Sequence, residues 1–369
     1  MMNTAILKTI ILILLIAVGF VLKGKFGSKD KVNGIKEMVL SVALPSTIFI
    51  ALMKINLEVS LLIVPLVTLI FNFFLYMLTP YALTLFGIDR KSTTARTLRM
   101  LIPSLAPGLS CFPFIAEFLG DESLALAAMS DVGNKFFVLI FLYVIAMNFY
   151  LSRSESQGQS NLSQKIKSLL VSLVQEPINI LLALALTLLA FGFHYNTLPV
   201  LVQGIFDKTS MLMTPQVLIF IGLAVNFKEG NKRLVLSLLM VRAGISVLFS
   251  AVFIALAGLS NSSHILLALV LPLSSISFWP FAHMSLFNGQ EEEQEVPKEK
   301  RTFDIPLAIM VLALSLPFST TLILTILSAG EYFVDLWKIV ALGFGLLALG
   351  GLPQLAARLY FKLSSGKMA

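Results

Sequence analysis

Apolar runs long enough to cross a bilayer, roughly 17–25 residues each, recur eleven times along the chain. They fall at 5–22, 35–53, 60–86, 98–118, 122–149, 170–193, 199–226, 234–259, 264–287, 304–328 and 336–357. Polar residues are gathered in the short spacers between them, and the basic ones alternate. Lys23, Lys25, Lys29, Lys31 and Lys36 follow the first run, and Arg90, Lys91, Arg96 and Arg99 the third. Arg153, Lys165 and Lys167 follow the fifth, Lys228, Lys232 and Arg233 the seventh, Lys298, Lys300 and Arg301 the ninth, and Arg358, Lys362 and Lys367 the eleventh. Eleven crossings put all six clusters on one side. The positive-inside rule then places the N-terminus outside and the C-terminus in the cytoplasm. The first run reads as a retained helix rather than a signal peptide, because the internal repeat described below needs it as a partner.

Two runs break the pattern in the same way. Pro107-Gly108-Leu109-Ser110-Cys111-Phe112-Pro113-Phe114 and Pro272-Leu273-Ser274-Ser275-Ile276-Ser277-Phe278-Trp279-Pro280-Phe281 each hold two prolines inside otherwise spanning sequence. Proline removes an amide donor and clashes with the preceding turn, which breaks a helix. Broken backbone at membrane depth persists only where protein buries it or where it lines a water-filled cavity. A matched pair of such segments in two halves of one chain points to a transporter's binding site.

The halves also echo one another. Ile48-Phe49-Ile50-Ala51-Leu52 after Pro45 matches Ile219-Phe220-Ile221-Gly222-Leu223 after Pro215, with Asn56 and Asn226 following. Leu14 to Phe20 resembles Leu188 to Phe193. The spacing implies a repeat of about 170 residues. Five helices per unit is an odd number, so the second unit is inverted relative to the first. The expected architecture is therefore an all-α membrane protein: a first five-helix repeat in 1–150, a second, inverted one in 164–328, and an extra C-terminal helix and tail in 329–369. Broken helices 4 and 9 would cross.

Composition agrees: 57% of residues are hydrophobic and 13% charged, with mean hydropathy +0.91, where a soluble domain carries about 25% charged residues. The net charge of +7 resides in the loops and signals topology, not nucleic-acid binding. The single cysteine, Cys111, excludes an internal disulfide.

These residues resemble the auxin efflux carrier family of membrane permeases. Leu44-Pro45-Ser46-Thr47-Ile48-Phe49 looks like an element of that family's second helix. Cys111-Phe112-Pro113-Phe114-Ile115 with Phe118-Leu119-Gly120-Asp121-Glu122 looks like its fourth, Glu176-Pro177-Ile178-Asn179-Ile180 stands where it has an Asn-Pro opening, and Phe220 to Ala224 is similar to a further stretch. Ala106 stands where the family usually carries Asn. The resemblance covers about residues 5–328. It implies a sodium/proton-antiporter-like scaffold with crossed, unwound helices 4 and 9, and transport of small organic anions.

Unwound half-helices offer free amides suited to a carboxylate. The expected substrate-binding residues are Gly108, Ser110, Cys111 and Pro113 at the first break, Ser274, Ser275, Ser277 and Pro280 at the second, and Asn134. The bland alternative is that the serines bond back to their own turns. Asp131 and Lys135, one turn apart, and His283 are candidates for coupling or proton relay; equally, the pair neutralises itself and the histidine is simply hydrogen-bonded. Arg242 reads as snorkelling toward the cytoplasm, Asp207 and Lys208 as a local pair, and 291–301 as a solvated loop.

The expected function is a secondary carrier working by alternating access, without a cofactor and with proton or sodium coupling open. Its partners would be a small organic anion and the bilayer, with a homodimer allowed. No Walker A pattern occurs. A bile-acid-type sodium symporter of the same architecture would need acids near the breaks, where Glu117 is the best candidate. A non-transporting sensor would bind ligand without flux. An intramembrane enzyme is disfavoured, because His194, His264 and His283 are scattered and no His-Glu-x-x-His or Gly-x-Ser-x-Gly occurs.

Overall fold

A computed structural model describes residues 4–26, 28–54, 63–153, 162–224 and 232–365. Asn56, Asn226, Lys228 and Lys367 lie outside the described residues, so that part of the repeat and of the loop-charge pattern is not represented. Among the described residues the chain is helical and contains no strand. The helices are α1 (Thr4–Phe26), α2 (Lys29–Met38), α3 (Leu44–Met53), α4 (Val64–Leu85), α5 (Thr93–Leu101), α6 (Pro107–Ser110), α7 (Phe112–Phe118), α8 (Gly120–Phe136) and α9 (Leu142–Leu151). They continue with α10 (Leu162–Gln175), α11 (Pro177–Ala190), α12 (Val200–Ser210), α13 (Met213–Ala224), α14 (Lys232–Ala257), α15 (Ser262–Val270), α16 (Trp279–Glu293), α17 (Ile305–Ser328) and α18 (Leu336–Ser365).

Among the described residues, six stretches are long and apolar enough to cross a membrane: Leu7–Phe26, Asp30–Met53, Val64–Leu85, Gly120–Leu151, Lys232–Ala257 and Ile305–Ser328. Pro177–Ala190, Ser262–Leu273 and Leu336–Leu352 are shorter apolar helices. The apolar runs expected around 98–118 and 199–226 are divided into α5–α7 and α12–α13. Proline accounts for most of these divisions. The run expected at 170–193 is split at Glu176, because the residue before Pro177 is pushed out of the helical region; Glu176 has φ −64° and ψ 130°. Pro45 cannot donate to the turn before it, and the chain widens into a π-turn at Val39–Ala43 instead of stopping.

The closest helix pairings fall into two groups that share one continuous apolar core. In one, α1 runs along α13, and α3 lies against α11 and α12. In the other, α4 packs on α8, α16 on α9, α14 on α15 and α17, and α18 runs along α14. Contacts between α3 and α8 join the groups. Small residues permit the closest approaches, the usual device where lipid offers no hydrophobic drive to associate. A Cβ at Gly19 would sit 2.1 Å from the Ile219 carbonyl oxygen, one at Gly222 2.1 Å from that of Ile16, and one at Gly133 1.9 Å from that of Pro65.

Two local expectations are corrected. The 291–301 segment is not simply solvated: Glu291 is buried, accepting from the Thr302 amide at 3.0 Å and hydroxyl at 2.6 Å. That carboxylate supplies acceptors to a turn whose amide would otherwise be stranded. Asp207 makes no ion pair with Lys208 among the described residues; neighbouring positions on a helix point apart, and Asp207 instead accepts from the Tyr195 hydroxyl at 2.7 Å.

Gly19→Ala, Gly222→Ala and Gly133→Ala should each destabilise the detergent-solubilised protein by about 1–3 kcal/mol through overpacking. Gly345→Ala, with nothing within 4 Å of the added atom, should not, and thermal unfolding midpoints will separate the two classes.

Candidate functional site: two interrupted helices in contact

The interruptions lie where backbone constraints accumulate. The chain leaves the helix after Leu101, runs unwound through 102–106, and resumes at Pro107. The first break is therefore N-terminal to the Pro107–Phe114 stretch on which the sequence centres it. Ile102 still has helical angles and its amide bonds the Leu98 carbonyl, but Pro103 brings no amide to continue the ladder. Pro107 disfavours helix in Ala106, which has φ −134° and ψ 69°, whereas proline at the start of a helix is tolerated because that amide has no partner anyway. Pro113 accordingly stands in the first turn of α7, after a bend at Cys111. The second break follows the same logic. Leu271–Leu273 tightens into a 3₁₀ turn, 274–277 is non-helical, and Pro280 stands in the first turn of α16.

The two breaks meet. The Ala106 amide donates to the Ser275 carbonyl at 2.7 Å in an isolated antiparallel bridge. The Ser275 amide donates to Ser110 Oγ at 2.9 Å, and that hydroxyl donates to the Ala106 carbonyl at 2.8 Å. The Ser277 amide donates to Ser104 Oγ at 3.1 Å, and the Ile276 amide to Ser315 Oγ on α17 at 3.3 Å. Ala106, which lacks the polar side chain of the resembled family, contributes through its backbone.

The flanking helices supply the rest. Asn134 grips Leu105 twice, accepting from its amide at 3.1 Å and donating to its carbonyl at 2.9 Å. Its amide group also donates to Asp131 Oδ1 at 2.8 Å, and its oxygen accepts from Asn72 on α4 at 3.1 Å. Arg242 on α14 does not snorkel. It is buried, donating to the carbonyls of Ile102 at 2.8 Å and Ser104 at 3.0 Å. It makes no ion pair among the described residues. The unwound carbonyls past the end of α5 outcompete distant water for the guanidinium.

The other expected residues are distributed as follows. Ser274 Oγ donates to its own turn at Leu271, and Ser277 Oγ accepts from the Trp279 amide. Cys111 is buried with its sulfur 3.7 Å from the Val270 carbonyl, and Gly108 faces Leu44 across the join of the two helix groups. His283 stands apart, its Nε2–H donating to the Val138 carbonyl at 2.9 Å beside the Tyr143 ring. Lys135 lies 3.6 Å from Asp131 but only 2.8 Å from Glu176, across the groups. Glu117 pairs with Lys8 at 3.4 Å, and Asp121 with Lys54 at 2.8 Å. Sequence reasoning missed Ser104, Ser315 and the part played by Glu176; Pro103 beside Ser104 was the available signal.

A cavity of about 270 Å³ abuts both breaks, touching Leu105 on the first and Leu271 and Pro272 on the second. Phe71, Phe249 and Phe253 give it an apolar wall. Thr68 and Ser130, hydrogen-bonded to each other, and Ser250 add hydroxyls. The volume and its mixture of apolar wall and few polar groups suit a small molecule with a compact apolar body.

Among known proteins, no family profile matches the chain and no curated sequence is significantly similar to it.

Asn134→Leu strands both polar groups of Leu105, and Ser110→Ala strands the Ser275 amide, at about 1–3 kcal/mol for each unsatisfied group. Both variants should unfold several degrees below the parent. Ser275→Ala should unfold close to it, because the Ser275 backbone carries the contact.

Proposed function

We propose that the protein is a multi-pass membrane carrier of small organic anions, working by alternating access around the contact between the two breaks. The observation that carries this reading is the meeting of two proline-interrupted segments, one from each half of the chain, against a ligand-sized cavity. Irregular backbone is costly at membrane depth and is kept where it serves a binding site. The motif resemblance to auxin efflux carriers, the inverted pairing of 1–150 with 164–328, the crossing of the broken helices and the outside N-terminus belong to the same proposal. The two packing groups would be the bodies that move. The ion pairs Lys54–Asp121 and Lys135–Glu176 run between them.

An anion carrier is favoured over a sodium symporter by two details. Glu117, the acid such a symporter would use, is already engaged by Lys8. The break carbonyls of Ile102 and Ser104, oxygens that a sodium ion would seek, are already held by the Arg242 guanidinium.

Reconstituted into proteoliposomes, the protein should show saturable uptake of at least one of radiolabelled malate, malonate and an indole acid. Failure of all three to move under any imposed proton or sodium gradient would overturn the carrier reading.

A further inference from the structure

The Lys135 ammonium already holds a carboxylate delivered from a distant part of the chain. It is buried on α8 between two acids that are held very differently. Asp131, on the same helix, is buried and fixed by the Asn134 amide at 2.8 Å. Glu176 comes from the elbow between α10 and α11, is 27% exposed, and approaches closer, at 2.8 Å against 3.6 Å for Asp131. Its carboxylate makes no capping bond to α11, so the elbow does not require it there. Asn179, one turn into α11, completes the arrangement: its Oδ1 accepts from Lys135 at 3.4 Å and its Nδ2 donates to Glu176 at 3.4 Å. An ammonium and a carboxamide N–H thus converge on one carboxylate, brought from the opposite helix group.

We propose that Lys135 and Asn179 form a carboxylate-binding station, and that Glu176 fills it as an internal stand-in when no anion is bound. A carboxylate from solution takes the same two donors, and Glu176 swings toward solvent from its partly exposed elbow. The exchange unfastens α8 from the α10–α11 elbow. It is also connected to the breaks, because Asp131 is bound to Asn134, which holds both polar groups of Leu105. The fixed acid stays beside the ammonium at 3.6 Å, while Glu176 is the replaceable ligand. This assignment rests on the carrier reading only for its place in a transport cycle; as a binding site it stands separately.

The test is thermal stabilisation of the full-length protein in detergent by malonate and by benzoate, at constant ionic strength with chloride as control. Glu176→Gln removes an intramolecular competitor at high effective concentration, so half-maximal stabilisation should come at about tenfold lower carboxylate than in the parent. Asp131→Asn combined with Lys135→Gln removes the cation without leaving a buried unpaired acid, and should abolish stabilisation beyond chloride. Asn179→Leu should weaken it. Equal responses from Glu176→Gln and the parent, including no response in either, overturn the proposal, as does a response that survives loss of Lys135. Lys135-dependent binding without proteoliposome flux would remove the carrier reading and keep the station. Flux without Lys135-dependent binding would do the reverse.

Discussion

Backbone amides and carbonyls that leave a helix inside an apolar protein must find partners there, and this obligation organises the centre of the molecule. The segments 102–106 and 274–278 satisfy it largely with each other and with side chains sent in for the purpose. Ser104, Ser110 and Ser315 accept amides, Asn134 takes both groups of Leu105, and Arg242 takes two carbonyls. Each would be an expensive polar intrusion alone. Together they hold two broken helices in one register and leave a cavity beside them.

Those same side chains connect the centre to the rest of the fold. Asn134 belongs to the helix that carries Asp131 and Lys135, and Lys135 reaches the elbow at Glu176. A disturbance at the breaks therefore has a short, bonded route to the joint between the two helix groups. The tightest glycine contacts lie within each group, while apolar packing of α3 on α8 and ion pairs join the two.

Much of the helical layout was legible because hydrophobic run length and proline position are local signals. Gly120–Leu151 and Ile305–Ser328 answer directly to runs expected at 122–149 and 304–328. The breaks were legible as a pair but misplaced by several residues at the first, since proline opens a helix as readily as it ends one and Pro103 went unweighted. Partnerships were less legible. That Ser104 and Ser110 are spent on backbone amides of the other break, that Ala106 acts through its backbone, and that Arg242 turns inward all depend on contacts between residues more than a hundred positions apart. Hydropathy carries no information about such contacts. Asp131 and Lys135 were visible as an i,i+4 pair, but Glu176 was hidden in a helix–proline junction that reads as mere punctuation.

The central claim is that the two interrupted segments lie side by side at Ala106 and Ser275. With Cys111 replaced by alanine, cysteines introduced as Ala106→Cys and Ser275→Cys can be oxidised in membranes and analysed by mass spectrometry of the intact and cleaved chain. Residues opposed in an antiparallel bridge stand within reach of a disulfide, so the account predicts efficient cross-linking of this pair. Failure to cross-link in a folded double-cysteine variant would contradict it.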